Sequence, residues 1–503
     1  MKLFSKIKSE SKLDVSQATS YNSNSRIHII IGLVCNLLII DCGLHEGWPT
    51  VTLPKFGTED PVTLTSNQEV LLINLLYLGV SLGALSPIFL MDRFGRKWTL
   101  LSAAVPKIFS WIAIGLANTH TTLYCARLLA GIGCGMTYSV MPMYIGEISS
   151  KRTRGPLGTL QSVLINMGIL FIYTIGLYVT RFAMAMMCLA LPVLFIVTFV
   201  WLPESSVYLT RKNRLTCAEK TLQWSLGKQN VELELEEVKR IVKTEEDVKT
   251  MGFFSSLIKA MRSPANKRAA LIMLILASVL SLTGAGAIMT YQSYISEEAG
   301  FHFGTNLGII TTGVAIVLAG IACVSLVRTT GKRRLLLLTA PVAVLCLGTI
   351  ATFFTLIDFG YDVKAVNWIP TVFVVLYVII YGLAFNPMPL AYLGELFTFD
   401  FKVTAGICSS IYYAVTTTGI IKLYQILHDD YGTHVAFWAL TVITIILWIL
   451  MYIFVLETEG MTLEEIQLAL TGDFVKKNLS RGRHQQSFES VNKINLTSVK
   501  STN

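Results

Sequence analysis

Residues 69–117 read EVLLINLLYLGVSLGALSPIFLMDRFGRKWTLLSAAVPKIFSWIAIGLA. Two apolar runs, near 69–91 and 98–117, flank a short loop, Asp92-Arg93-Phe94-Gly95-Arg96-Lys97. A bilayer's hydrocarbon core is about 30 Å thick and takes roughly 20 apolar residues of helix to cross. Both runs have that length, and every cation of the stretch except Lys107 lies in the link between them. Read this way, the stretch is two membrane-crossing helices joined by a tight basic turn. The rest of the chain agrees. Its 503 residues are 53% hydrophobic and only 15% charged, with a mean hydropathy of +0.59. Soluble domains run near 45–50% apolar and about 25% charged, which excludes a string of soluble domains.

Working outward, further apolar runs lie near 27–44, 121–146, 156–179 and 183–203. A second set lies near 269–292, 305–327, 334–356, 367–391, 403–427 and 434–455. The expected fold is an all-α membrane protein with twelve transmembrane helices in two pseudo-symmetric six-helix bundles. It divides into a tail (1–26), a first bundle (27–203), a polar helical loop (204–268), a second bundle (269–455) and a tail (456–503). The first span reads as an uncleaved signal-anchor. Alternate loops hold Arg93, Arg96 and Lys97; Lys151, Arg152 and Arg154; the basic residues of 204–268; and Arg328, Lys332, Arg333 and Arg334. The other loops hold only Lys55, Arg181 and Lys364. Basic residues mark the cytoplasmic side, so both termini and the middle loop are expected there. The net charge of +9 is thus a topology signal and not a nucleic-acid surface. Of the nine cysteines, Cys35, Cys125, Cys134, Cys188, Cys323, Cys346 and Cys408 lie inside apolar runs, no pair has metal-ligand spacing, and they read as buried thiols. No metal, cofactor or catalytic set is expected, so the chain is not read as an enzyme.

The two sets repeat one pattern. Asp92–Lys97 after span 2 is matched by Val327–Arg334 after span 8. Tyr144-Ile145-Gly146-Glu147 ends span 4, and Tyr392-Leu393-Gly394-Glu395 ends span 10. Pro203-Glu204-Ser205 follows span 6, and Leu456-Glu457-Thr458 follows span 12. Each of Glu147 and Glu395 is followed seven residues on by a cation, Arg154 and Lys402. The pairs share a spacing of about 240–250 residues, as a tandem duplication requires.

These residues resemble the signatures of the sugar porters of the major facilitator superfamily, over roughly 27–470. Gly47-Trp48-Pro49 and Ala218 to Gly227 are most similar to the insect trehalose-transporter-like members. The resemblance implies a carrier that opens to each face in turn, for a small carbohydrate of trehalose or hexose type. It also implies a cytoplasmic gate of charge pairs from Asp92, Arg96, Arg127, Glu147, Arg154, Glu204, Glu395, Lys402 and Glu457. Such contacts suit a gate because they form in one state and exchange for water in the other. Topology-setting charges are the plainer reading. The second half departs from the family pattern at Arg328 and Thr329, and the first at Val207, so an asymmetric gate is expected.

An ionisable group at a span's centre costs about 2.5–3.5 kcal/mol on insertion scales. Asp41 near the end of the first span and Lys422 inside the eleventh therefore call for an account. They contact solute, pair with each other, or reach the interface. The residues that bind hexose in the family are mostly replaced: Ser162, Leu280, Ser281, Gly286, Ile316, Leu390, Tyr413 and Ala414 stand at those places. Polar groups left at suitable depth are Gln161, Ser162 and Asn166; Thr283, Thr290 and Gln292; Asn386 in the Asn386-Pro387-Met388-Pro389 break; and Tyr412, Tyr413 and Thr416. Gly131-x-Gly133-x-Gly135 and Gly284-x-Gly286 read as helix-packing sites. Pro49 stands where family symporters carry an acid, so facilitated movement is expected. A sensor that kept the fold, or a carrier of a non-hexose solute, stays open as the alternative. The expected partners are the solute and the bilayer, the unit a monomer and the site the plasma membrane.

Overall fold

The computed structural model describes residues 31–148, 154–249, 262–300, 305–397, 399–461 and 463–471. Among them the regular structure is helical; there is no strand beyond the isolated bridge of Phe56 with Asp60. Among the described residues ten helices are long and apolar enough to cross a membrane: Ile31–Lys55, Ser66–Phe94, Arg96–Leu116, His120–Ile148, Arg181–Phe199, Pro264–Thr290, Asn306–Thr330, Lys332–Asp358, Lys364–Leu396 and Thr433–Phe454. These are spans 1 to 4, 6 to 10 and 12. Arg154–Gly176 and Phe399–Tyr431 supply spans 5 and 11. Between spans 6 and 7 the described residues form three shorter helices, Ser206–Arg211, Leu215–Leu226 and Glu232–Lys249.

Packing repeats between the halves. Span 3 lies against span 6 and span 9 against span 12; span 2 lies against span 4 and span 8 against span 10. The halves meet along two equivalent seams, span 2 with span 11 and span 5 with span 8. Glycines set the crossing of spans 2 and 4. A Cβ at Gly131 would lie 2.8 Å from the Gly79 Cα and collide with the Leu76 carbonyl oxygen, so spans 4 and 2 touch backbone to backbone.

Three helices depart from the simple span pattern. Span 1 runs on through Gly47, Trp48 and Pro49 to Lys55, well past residue 44, where the apolar run stops. Asp41, His45 and Glu46 consequently lie inside the bundle and not at its rim. Span 7 breaks at Gly284, whose φ of +84° is left-handed, with Ala285–Thr290 and Gln292–Glu298 resuming beyond it. Gly284 thus serves a helix break rather than a flat packing face. Span 10 passes through a π-helical stretch, Tyr381–Phe385, before the prolines Pro387 and Pro389. Such insertions leave carbonyls without helical partners, and they concentrate at functional sites.

Candidate functional site

At the basic end, the end holding the loop 92–97, each half builds the same junction. Glu204 accepts hydrogen bonds from the backbone N–H groups of Arg96 and Lys97 (both 3.1 Å) at the start of span 3. Glu457 accepts from Lys332 (3.0 Å) and Arg333 (3.1 Å) at the start of span 9. A carboxylate there meets unpaired N–H donors and the positive end of the helix dipole. Gly95 and Gly331 precede those helices at φ +92° and +86°; a Cβ at Gly331 would sit 2.6 Å from Glu457 Oε2. The Tyr144 hydroxyl donates to the Pro203 carbonyl (2.7 Å), and the Tyr392 hydroxyl to that of Leu456 (2.8 Å). Burial pushes the Glu204 carboxyl above its usual range, while the N–H groups of Ser205, Lys97 and Arg96 pull it back in part.

Several ion pairs here stay within a half or join it to the loop that follows. Arg96 meets Glu147 at 2.9 Å, and Glu147 also accepts from the Ser205 hydroxyl. Asp92 meets Arg211 at 3.1 Å. In the second half Lys332 meets Glu395 at 2.6 Å and Glu459 at 2.8 Å. Lys332 therefore fills the place of Arg96. The side chains of Arg154 and Lys402 lie outside the described residues.

Arg127 does not join this cluster. It lies twenty residues before Glu147 on one helix, which is about 30 Å away at 1.5 Å per residue. Its guanidinium donates to the His45 carbonyl (2.7 Å) and the Leu72 carbonyl (3.4 Å) and lies 5.3 Å from the Trp48 ring centroid.

Asp41 and Lys422 do not pair. Asp41 is fully buried, 3.3 Å from the ammonium of Lys107 on span 3, and accepts from the Trp111 indole N–H at 2.8 Å. Lys107, also fully buried, donates to the Leu38 carbonyl at 2.9 Å, and His45 stacks on Trp111 at 4.1 Å. The charge pair is internal to the first half. Lys422 instead reaches Asn67 (3.0 Å) and Gln425 (2.7 Å) at the end opposite the basic one. There Ser66 donates to Asp429 at 3.1 Å and Gln425 to Asn67 at 3.1 Å, stitching span 2 to span 11.

Between the two ends the halves enclose a polar centre. Gln161, Ser162 and Asn166 are buried on span 5. Asn166 is committed: it donates to the Ile316 carbonyl (3.3 Å) and accepts from Asn386 (3.1 Å), both of the other half. Gln161 Nε2 and Ser162 Oγ, like Gln292 Oε1, have no protein partner among the described residues. Gln292 Nε2 donates to Thr312 at 2.8 Å. The Thr283 hydroxyl meets the Tyr377 hydroxyl at 3.0 Å, and Tyr413 packs edge-on against Tyr77 at 6.1 Å between ring centroids. Tyr412 meets Ser278 at 2.7 Å, and Thr416 meets Ser281 at 2.8 Å.

Two members of this centre lie outside the sequence expectation. Glu46 accepts from the Tyr138 hydroxyl at 2.7 Å. One turn on, Thr50 donates to the Met289 carbonyl of the other half at 3.1 Å, so this face of span 1 looks across the interface. A cleft of about 420 Å³, lined by Thr50, Lys55, Glu59, Ser293, Glu297 and Asn306 among others, opens above it at the opposite end. The signal that could find Glu46 is its i, i+4 relation to Thr50 on a helix continuing past Pro49.

A family model described as "Sugar (and other) transporter" matches residues 9–470. A "Facilitated trehalose transporter Tret1" of Polypedilum vanderplanki is 31% identical over 383 residues, covering 76% of this chain and 75% of that protein. Its counterpart in Bombyx mori is 27% identical over 483 residues, covering 94% of each. That of Aedes aegypti is 30% identical over 384 residues, but this chain spans only 47% of its length; the Anopheles gambiae protein is likewise spanned for about half, 48%. Among solved structures, the proton:xylose symporter XylE bound to 6-bromo-6-deoxy-D-glucose superposes with a TM-score of 0.71 at 19% identity, covering 89% of this chain and 100% of that one. The fold is therefore that of the major facilitator superfamily, and the chain belongs to the sugar (and other) transporter family.

Proposed function

We propose that the protein carries a small neutral carbohydrate, of trehalose or hexose type, across a membrane by alternating access and without proton coupling. The observation that carries this reading is the central polar layer. Gln161, Ser162 and Gln292 hold buried hydrogen-bonding atoms that no protein group among the described residues satisfies, at the seam between two six-helix halves. Buried polar atoms without partners are costly, and a bound polyol or water offsets that cost. Gln161, Ser162, Thr283, Gln292 and Tyr413 are assigned to the solute, with Asn166 and Asn386 joining the halves beside it.

The basic end faces the cytoplasm in this reading, with both termini, and the membrane is the plasma membrane. The twin junctions of Glu204 and Glu457 hold each half rigid as it rocks. Arg96–Glu147 and Lys332–Glu395 lie where the inner gate would open and close, with Arg154 and Lys402 as their sequence neighbours. Asp41 is withdrawn from the solute by its bond to Lys107, and Lys422 belongs to the outer closure.

Flux of trehalose and glucose into proteoliposomes, with and without a pH gradient, tests this. Uptake that equilibrates and ignores the gradient is expected. Accumulation driven by the gradient refutes uniport. The replaced hexose contacts favour the second reading, a sensor on the same fold, and absence of flux for every sugar tried would select it.

A further inference from the structure

We propose that Glu46 is the specificity-determining group of the central site: its carboxylate accepts two adjacent hydroxyls of a neutral polyol or sugar, and Tyr138 holds it in place. This rests on the carrier reading above and adds to it the group that recognises the solute.

The geometry starts with the helix. Span 1 continues past residue 44 to Lys55, which places Glu46 within the helix, nine residues before its end. Its Oε1 is fixed by the Tyr138 hydroxyl at 2.7 Å, and among the described residues Oε2 takes no hydrogen bond. The side chain is only part-buried, unlike Asp41 one turn back. Tyr138 belongs to span 4, and one turn beyond Glu46 the Thr50 hydroxyl lies 3.2 Å from the Tyr173 hydroxyl of span 5 and donates to the Met289 carbonyl of the other half. The carboxyl group thus lies beside the seam, next to tyrosine rings.

Charge decides which solute suits it. The pair Asp41 and Lys107 is closed on itself at 3.3 Å. Arg127 lies next to Glu46 through its bond to the His45 carbonyl, and its guanidinium is spent on the carbonyls of His45 and Leu72 and on the face of Trp48. One acid and one base stand here, and their formal charges cancel. A cationic solute would leave an excess positive charge in a low-dielectric chamber, and an anion would be repelled by Glu46. A neutral solute that donates hydrogen bonds fits. A carboxylate accepts only, with two oxygens side by side, which matches two neighbouring O–H groups and gives the stronger, charge-assisted kind of bond. The tyrosine faces would cover the apolar side of a sugar ring.

The test uses the full chain in proteoliposomes, with trehalose, glucose and their single-deoxy analogues. Glu46→Gln should raise KM about 10–100-fold while leaving the maximal rate within a few-fold, because one charge-assisted acceptor is replaced by a donor. Removing one hydroxyl from the solute should weaken wild type markedly and Glu46→Gln little. Tyr138→Phe, a positioning change, should raise KM less and keep the hydroxyl preference. Should the amide variant not accumulate, Glu46→Asp keeps the charge but withdraws it by one methylene, and KM should again rise. A wild-type KM and wild-type deoxy discrimination in either Glu46 variant overturns the assignment while leaving the carrier reading intact. A wild-type protein that moves no sugar at all removes the carrier reading and this assignment with it.

Discussion

Replacing Lys107 by Met should unfold the first half far more readily than any other single change near the centre. Lys107 and Asp41 lie 3.3 Å apart with no exposed surface on either side chain. At an effective dielectric of 20, their attraction is about 5 kcal/mol. Taking both ions out of water costs several kcal/mol each, so the pair's net worth is small. Breaking it is a different matter. With Lys107 gone, Asp41 keeps the Trp111 indole N–H at 2.8 Å, and the His45 ring lies 3.8 Å away. Removing one partner of a buried pair costs about 3–5 kcal/mol. The double variant Asp41→Asn/Lys107→Met keeps the indole bond, strands no charge, and should recover most of that loss. Thermal midpoints and SDS titrations of the purified protein in detergent measure both. If Lys107→Met matches wild type, or if the two single losses simply add in the double variant, the pair is not the closed unit described here.

Other outcomes follow from the same contacts. Gly331→Ala should cost about 1–3 kcal/mol, since a Cβ at φ +86° would press on Glu457 Oε2; an unchanged midpoint would contradict the junction. Arg127→Lys should lower stability by about 1–3 kcal/mol, because an ammonium cannot reach both the His45 and Leu72 carbonyls in Arg's fork geometry; equal midpoints would contradict that. Burial raises Glu204, so the folded protein keeps its proton to a higher pH than the unfolded chain does. The stability linked to it is full below the ordinary carboxylate range and falls as pH rises through the folded value; Glu204→Gln should flatten that fall, and an identical pH profile would count against it.

Much of the architecture is legible in the chain, because it depends on quantities that run along it. Apolar run length gives the spans, and recurring residues such as Glu204 with Glu457, or Tyr144 with Tyr392, give the duplication. The structure adds what those recurrences do: both tyrosines bond the chain that leaves the last span of their half, and both glutamates cap the helix after a basic turn. What the sequence hides is rotation and depth. Lys107 reads as one cation in an apolar run, and only the helix's turn toward span 1 shows it facing Asp41. Arg127 shares a helix with Glu147, but separation along the axis puts them in different layers. Glu46 lies past the end of its apolar run, and no hydropathy window reveals that the helix continues through Pro49. Asn166 looks like a solute ligand by composition, whereas its two bonds are spent across the seam.

The carrier account requires that spans 2 and 11 part and rejoin at the end away from the basic loops. Ser66 and Asp429 touch there at 3.1 Å, so a cysteine at each position can be bridged by a short thiol cross-linker or oxidised to a disulfide, with the exposed Cys125 and Cys217 replaced by Ser. Sugar flux through this variant in proteoliposomes should stop on bridging and, for the disulfide, return on reduction. Flux that continues undiminished through fully bridged protein would show that the solute does not pass by the alternate opening of these two halves.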